Sequence, residues 1–459
     1  MKTNAEFIRN LWLQISPARL IGAVAVIALV LTVIFLAAKA TPWDVVTSVA
    51  SAALIFVLIF WGATAARATV KDEIRGNTWN QQRMSGLTPW QITWGKLFGG
   101  TAYVWWISLI VLMLWSVARI MTNEALDLRE SVLTWIAGGI AAHAVAMIAA
   151  IGFRSTDGSR LEEIPVGVLV LVILIFSQSA VPFSLLRDQG SAWHNIALSQ
   201  PQAALLLAAP FALWAVVGAH RSIQREMQEA LLPWALPLAL LCIGFLFAGF
   251  IKTNGLLNAV LLGFIVTFGL TATFAWAAFF VEPQSITTTR ECIALVRAGR
   301  IGDALLRMST ASVLLIALCV LGVICAIAVA AAVGSAKPLP LTLSDQRSGS
   351  ELLTLGPVVF VWIIIVAVRD FCVAHTLQAL SRTGTRAMGA FAVYLAVMYF
   401  AVPLLLGSAG AKAQDFWLPT SAWPSASCLV GALASLAIAI LLSWKRWQPS
   451  SAPVTAATR

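Results

Sequence analysis

The residues with the most capacity for chemistry gather in one stretch, Lys71 to Leu97, which reads KDEIRGNTWNQQRMSGLTPWQITWGKL. Thr78 to Ser85 suits a short helix, Gly86 suits its closing turn, and Leu87-Thr88-Pro89 redirects the chain. Trp90 and Trp94 stand one helical turn apart, on a face suited to a membrane surface. Gly95-Lys96 then opens a long apolar run, where the lysine is expected to snorkel toward headgroups. No nucleophile and base are paired here. What the stretch offers is a short cytoplasmic helix with a defined break before the next span.

The other candidates are scattered. His143 sits among alanines, His375 near a span end, and His194 and His220 in or beside loops. No H-E-x-x-H, paired-carboxylate or G-x-S-x-G pattern accompanies them, so His143 reads as a helix–helix hydrogen-bonding residue. Arg369-Asp370 reads as a local pair at the end of a span, and the span centres read as almost free of charge. Ser177-Gln178-Ser179 forms a polar cluster and is the candidate for substrate contact. The six cysteines lie mostly in apolar runs without C-x-x-C spacing, which favours packing over disulfide or metal roles. A Walker loop, G-x-x-x-x-G-K-[ST], is absent from the sequence, so ATP chemistry would have to come from another chain.

These residues must be held by membrane helices. Of 459 residues, 60% are hydrophobic and only 11% charged, against roughly 25% charged in soluble domains. About 20 apolar helical residues cross the hydrocarbon core. Twelve stretches meet that requirement: 20–38, 45–66, 95–117, 132–153, 164–184, 201–219, 231–251, 257–281, 311–334, 355–374, 387–407 and 428–444. The expected fold is therefore an all-α, polytopic bundle of about 12 spans. The first apolar run is long enough to span and reads as a helix, not a cleavable signal.

Charge gives an orientation. With the N-terminus inside and the spans alternating, the outer loops hold only Lys39, Arg119, Arg129, Arg187, Lys252, Lys337, Arg347 and Lys412 of the 30 Lys and Arg residues. An equal number of acids offsets them, so the net charge of +10 lies inside. Both termini are then cytoplasmic. The spread of basic residues also argues against nucleic acid as a partner. Trp43, Trp61, Trp90, Trp94, Trp193, Trp234, Trp417, Trp423, Trp444 and Trp447 fall near expected span ends.

The chain reads as two six-span halves, 1–220 and 221–459. The first opens with an amphipathic stretch whose Phe7, Ile8, Leu11, Trp12 and Ile15 share a face. A weaker one, Ser222 to Leu231, opens the second. Each half carries a loop after its second span, 69–94 and 282–310. Late in each half come Val181–Pro182 and Val402–Pro403, followed by Pro201 and Pro424.

Taken together, Glu73, Gly76, Thr78, Pro89, Gly95 and Lys96 resemble, in order, the loop between spans two and three of type-2 ATP-binding-cassette permeases. Asn77 departs by separating Gly76 from Thr78, and the second loop lacks the Thr-Pro and Gly-Lys elements. The resemblance implies a coupling helix docked on a cytoplasmic ATP-binding subunit, with Glu73 and the Gly76–Pro89 segment transmitting force. It implies a permease subunit of an exporter, not an enzyme, in a bacterial cytoplasmic (inner) membrane. This chain would bind no cofactor itself, ATP and Mg²⁺ residing on the partner, and would act as a homodimer or a fused pseudo-dimer among membrane lipids. The alternatives are a secondary, ion-coupled transporter, an integral membrane enzyme and a scaffold.

Overall fold

The computed structural model describes residues 4–38, 41–76, 79–124, 126–152, 192–194, 196–229, 231–251, 256–281, 286–334, 357–380, 384–408 and 426–447. The chain divides into two compact units, Met1–Leu231 and Leu232–Arg459. Among the described residues nine helices are long and apolar enough to cross a membrane, and two shorter apolar helices accompany them. This is the pattern of an integral, multi-pass membrane protein. The expected span 164–184 lies outside the described residues.

In the first unit, α1 (Ala5–Gln14) is capped by Asn4, whose side chain accepts from the amides of Glu6 and Phe7. An extended Ile15 and the Ser16–Pro17 step end it, and α2 (Pro17–Ala37) starts afresh with Ser16 as its cap. A long helix follows: α3 (Pro42–Leu54), a π-helical segment (Ile55–Trp61) and α4 (Gly62–Arg75). Its 32-residue apolar stretch, Pro42–Glu73, is roughly 48 Å long. That exceeds the hydrocarbon core by about 18 Å, so the charged end projects beyond it.

Two short helices come next, α5 (Trp79–Met84) and α6 (Pro89–Trp94). Gly86 between them takes φ +68°, a conformation glycine adopts without strain. Thr88 and Gln91 form a reciprocal capping box around Pro89. A second π segment (Gly95–Gly99) leads into α7 (Ala102–Met121), followed by α8 (Leu128–Gly152). After a two-residue β ladder, Ala192–Trp193 with Ile196–Ala197, comes α9 (Gln200–Glu226). Ser222 to Glu226 continue α9, so they do not open a separate interfacial helix. The core of the unit gathers Leu54, Leu58, Leu97, Met147 and Ile223 around the long helix.

The second unit contains α10 (Ala235–Ala248), α11 (Leu256–Val281), α12 (Ile286–Arg297), α13 (Ile301–Arg307), α14 (Thr310–Gly334) and α15 (Pro357–Leu380). It ends with α16 (Gly384–Ala396), a third π segment (Val397–Ala401), α17 (Val402–Ser408) and α18 (Ala426–Trp447). Small residues let these helices meet closely: a Cβ on Gly244 would lie 2.8 Å from the Thr267 backbone. Val402–Pro403, read as a span end, instead begins one more helical stretch. A proline lacks an amide hydrogen to donate, and it follows a π segment whose hydrogen-bond ladder is already irregular.

Candidate functional site

The stretch singled out in the sequence folds into a braced assembly. Glu73 stands near the C-terminal end of α4, and the second π segment brings Lys96 against it. The Lys96 ammonium is fully buried and pairs with the Glu73 carboxylate; Glu6 of α1 stands 3.5 Å away. Gln82 of α5 donates to Glu73 at 2.6 Å and to Glu6 at 3.3 Å. The half-exposed Arg9 reaches Glu6 at 3.3 Å and Glu73 at 3.4 Å. Among the described side chains, two carboxylates face two cations. One polar cluster thus joins α1, α4, α5 and the root of α7.

Lys96 therefore does not snorkel to headgroups. The two carboxylates supply a nearer partner than lipid, and burying an ammonium is tolerable only with such compensation. Glu73 is likewise turned inward, so both residues can act by bracing the loop but do not offer themselves to a partner's surface. Among the described residues, the exposed face includes Gln81, Met84, Ser85, Gly86 and Thr88. Met84 is 81% exposed, a large apolar side chain at the tip of a polar turn. Gly76 lies in an exposed turn, Pro89 begins α6, and Thr78 is outside the described residues.

Gly95 acts as a seat. A Cβ there would lie 2.6 Å from the Glu6 side chain and 2.9 Å from the Phe7 amide; on Gly99 it would lie 2.9 Å from the Phe7 carbonyl oxygen. Asn10 donates to the Gly95 carbonyl at 3.3 Å, and Asn4 to that of Gln91 at 2.9 Å. Helix α1 thus buries its polar residues, Glu6 and Asn10, and turns Ile8, Trp12 and Leu13 outward. Glu6, Arg9, Asn10 and Gln82 were not singled out from the sequence. The available signal was the polar face of α1, with Glu6 and Asn10 one turn apart opposite its apolar face.

The remaining candidates sort clearly. The Nε2–H of His143 donates to the Leu58 carbonyl at 2.8 Å, inside the first π segment, which makes it the helix–helix residue expected. Gly62 permits this approach, since a Cβ would collide with the ring. Ser177, Gln178 and Ser179 lie outside the described residues. Among the described residues no group of three or more His, Cys, Asp or Glu could hold a metal.

Arg369 and Asp370 are not at a span end. They sit near the middle of α15 and are almost fully buried. Arg369 donates to Asp370 at 2.9 Å, and Tyr394 of α16, Tyr399 of the third π segment and Trp276 of α11 all donate to the same carboxylate. Arg369 also reaches the Tyr399 and Ser435 hydroxyls at 3.2 and 3.5 Å. The helix runs to Leu380, several residues beyond the apolar stretch visible in sequence, and this shifts the pair toward its centre.

Neither a known protein family, nor a curated protein, nor a solved structure matches the chain.

Proposed function

We propose that the chain is the permease subunit of an ATP-driven exporter, gripped by a separate ATPase at α5 and the turn after it. One observation supports this above others: the short, polar helix α5 is tied by Gln82 to Glu73 and Glu6. A push on α5 is therefore a push on α1, on α4 and on the base of α7. Buried ion pairs with several hydrogen bonds resist being sheared one element at a time. The second unit carries an analogous element, α12, a left-handed Gly299 at φ +74°, and α13. This supports two fused half-permeases with unequal ATPase contacts. The spans would alternate access to a path that includes Ser177 to Ser179, with both termini in the cytoplasm of a bacterial cell.

Gentle purification of the full chain from native membranes tests this. An ATPase is expected to accompany the wild type, and Met84→Asp, which charges the exposed tip without touching the knot, is expected to release it. No ATPase with the wild type contradicts the proposal.

One observation favours the ion-coupled alternative: ionisable groups within a span are functional suspects, and Arg369-Asp370 is such a pair. Against it, Asp370 already accepts from four side chains, which suits a fixed clasp better than a carrier that must load and release. Transport that follows an imposed ion gradient in ATP-free vesicles, and is lost in Asp370→Asn, would favour that alternative.

A further inference from the structure

Helix α2 is joined unevenly to the first unit. Ile34, near its far end, is its one buried residue, packed with Val46 and Ala118, and Phe35 meets Trp43 edge-on at 5.1 Å. From Arg19 onward a groove of about 480 Å³ runs between α2, the long helix and α7. Its walls are apolar, including Val26, Val30, Val49 and Ile107, and its floor is opened by Gly22, where an added Cβ would meet nothing. Arg19 is the charged residue on its lining and stands at one end.

The composition of that end is specific. Arg19 follows the Ser16–Pro17 step that separates α2 from α1, a helix lying with its apolar face outward as interfacial helices do. The Tyr103 hydroxyl donates to the Arg19 carbonyl at 3.3 Å, and Trp61 meets Tyr103 edge-on. The exposed Arg19 guanidinium gives one N–H to the Gln14 carbonyl, and its fork carries further donors suited to phosphate. A cation at headgroup level, followed by an apolar trench, complements an anionic amphiphile.

The charge at one end of an otherwise apolar groove selects an anionic amphiphile over an apolar helix. From Arg19 to Ile34 α2 extends about 22 Å. A single acyl chain is slender and reaches from the headgroups to the midplane, about 15 Å deeper. We propose that this groove binds one acidic phospholipid, one of its two acyl chains along α2 and its phosphate on Arg19, as a site independent of the ATPase contact.

Native mass spectrometry of the full-length chain, delipidated and then offered phosphatidylglycerol or phosphatidylcholine with identical acyl chains, tests this. One phosphatidylglycerol should be retained about tenfold better than phosphatidylcholine, as expected for one charge-assisted contact. Arg19→Gln, at an exposed position that leaves the fold intact, should erase the preference. Gly22→Trp, which fills the trench, should abolish retention of both lipids. Equal retention of the two lipids by the wild type, or a preference that survives Arg19→Gln, overturns the proposal. So does an oligomer that Gly22→Trp dissociates while lipid retention stays unchanged.

Discussion

Lys96 carries the clearest residue-scale consequence of the structure. Replacing it with Met leaves Glu6 and Glu73 close together without the buried cation between them, while Arg9 and Gln82 still reach both. Removing one partner of a buried pair costs about 3–5 kcal/mol, so Lys96→Met should unfold markedly earlier in detergent. Glu73→Gln combined with Lys96→Met removes both members of the buried pair, with Glu6 and Arg9 still paired. The double variant should therefore be more stable than Lys96→Met alone, and simple additivity of the two single losses would show that the charges do not interact. His143→Leu removes the donor to the Leu58 carbonyl, and about 1–2 kcal/mol of stability should go with it. Unchanged thermal unfolding of that variant would mean the contact contributes nothing. Lys96 was conspicuous in the sequence, but its role was not legible. Its partner Glu6 belongs to another helix far away in the chain, and periodicity records only which face of a helix is polar, not what that face meets.

At the scale of elements, apolar run length made the helices readable, because a hydrocarbon slab fixes how many residues a span requires. Their irregularities were not readable. Each of the two π segments in the first unit hands a carbonyl to a side chain on a neighbour: Leu58 to His143 and Gly95 to Asn10. Such segments recur at functional positions, yet they depend on tertiary partners that no local pattern announces. The Arg369-Asp370 pair was misplaced for a related reason, since α15 continues beyond its most apolar stretch. The seat beneath α1 gives a test at this scale. Gly99→Val would drive a side chain into the Phe7 backbone, so residues 5–14 should exchange their amide hydrogens faster than in the wild type. Protection equal to the wild type would show that α1 does not depend on that seat.

For the whole molecule, two compact units each carry a short helical element closed by a left-handed glycine, Gly86 in one and Gly299 in the other. The composition alone made a multi-pass helical protein legible; the loop pattern suggested a lever, and the geometry adds a reason for stiffness. What touches Met84 decides whether an ATPase grips this turn. A photo-crosslinking amino acid placed there, activated in intact native membranes, measures this most directly. The account predicts a crosslink to a cytoplasmic ATPase whose yield changes when ATP is depleted. Crosslinks to lipid alone, or labelling of this position from outside the cell, would contradict it.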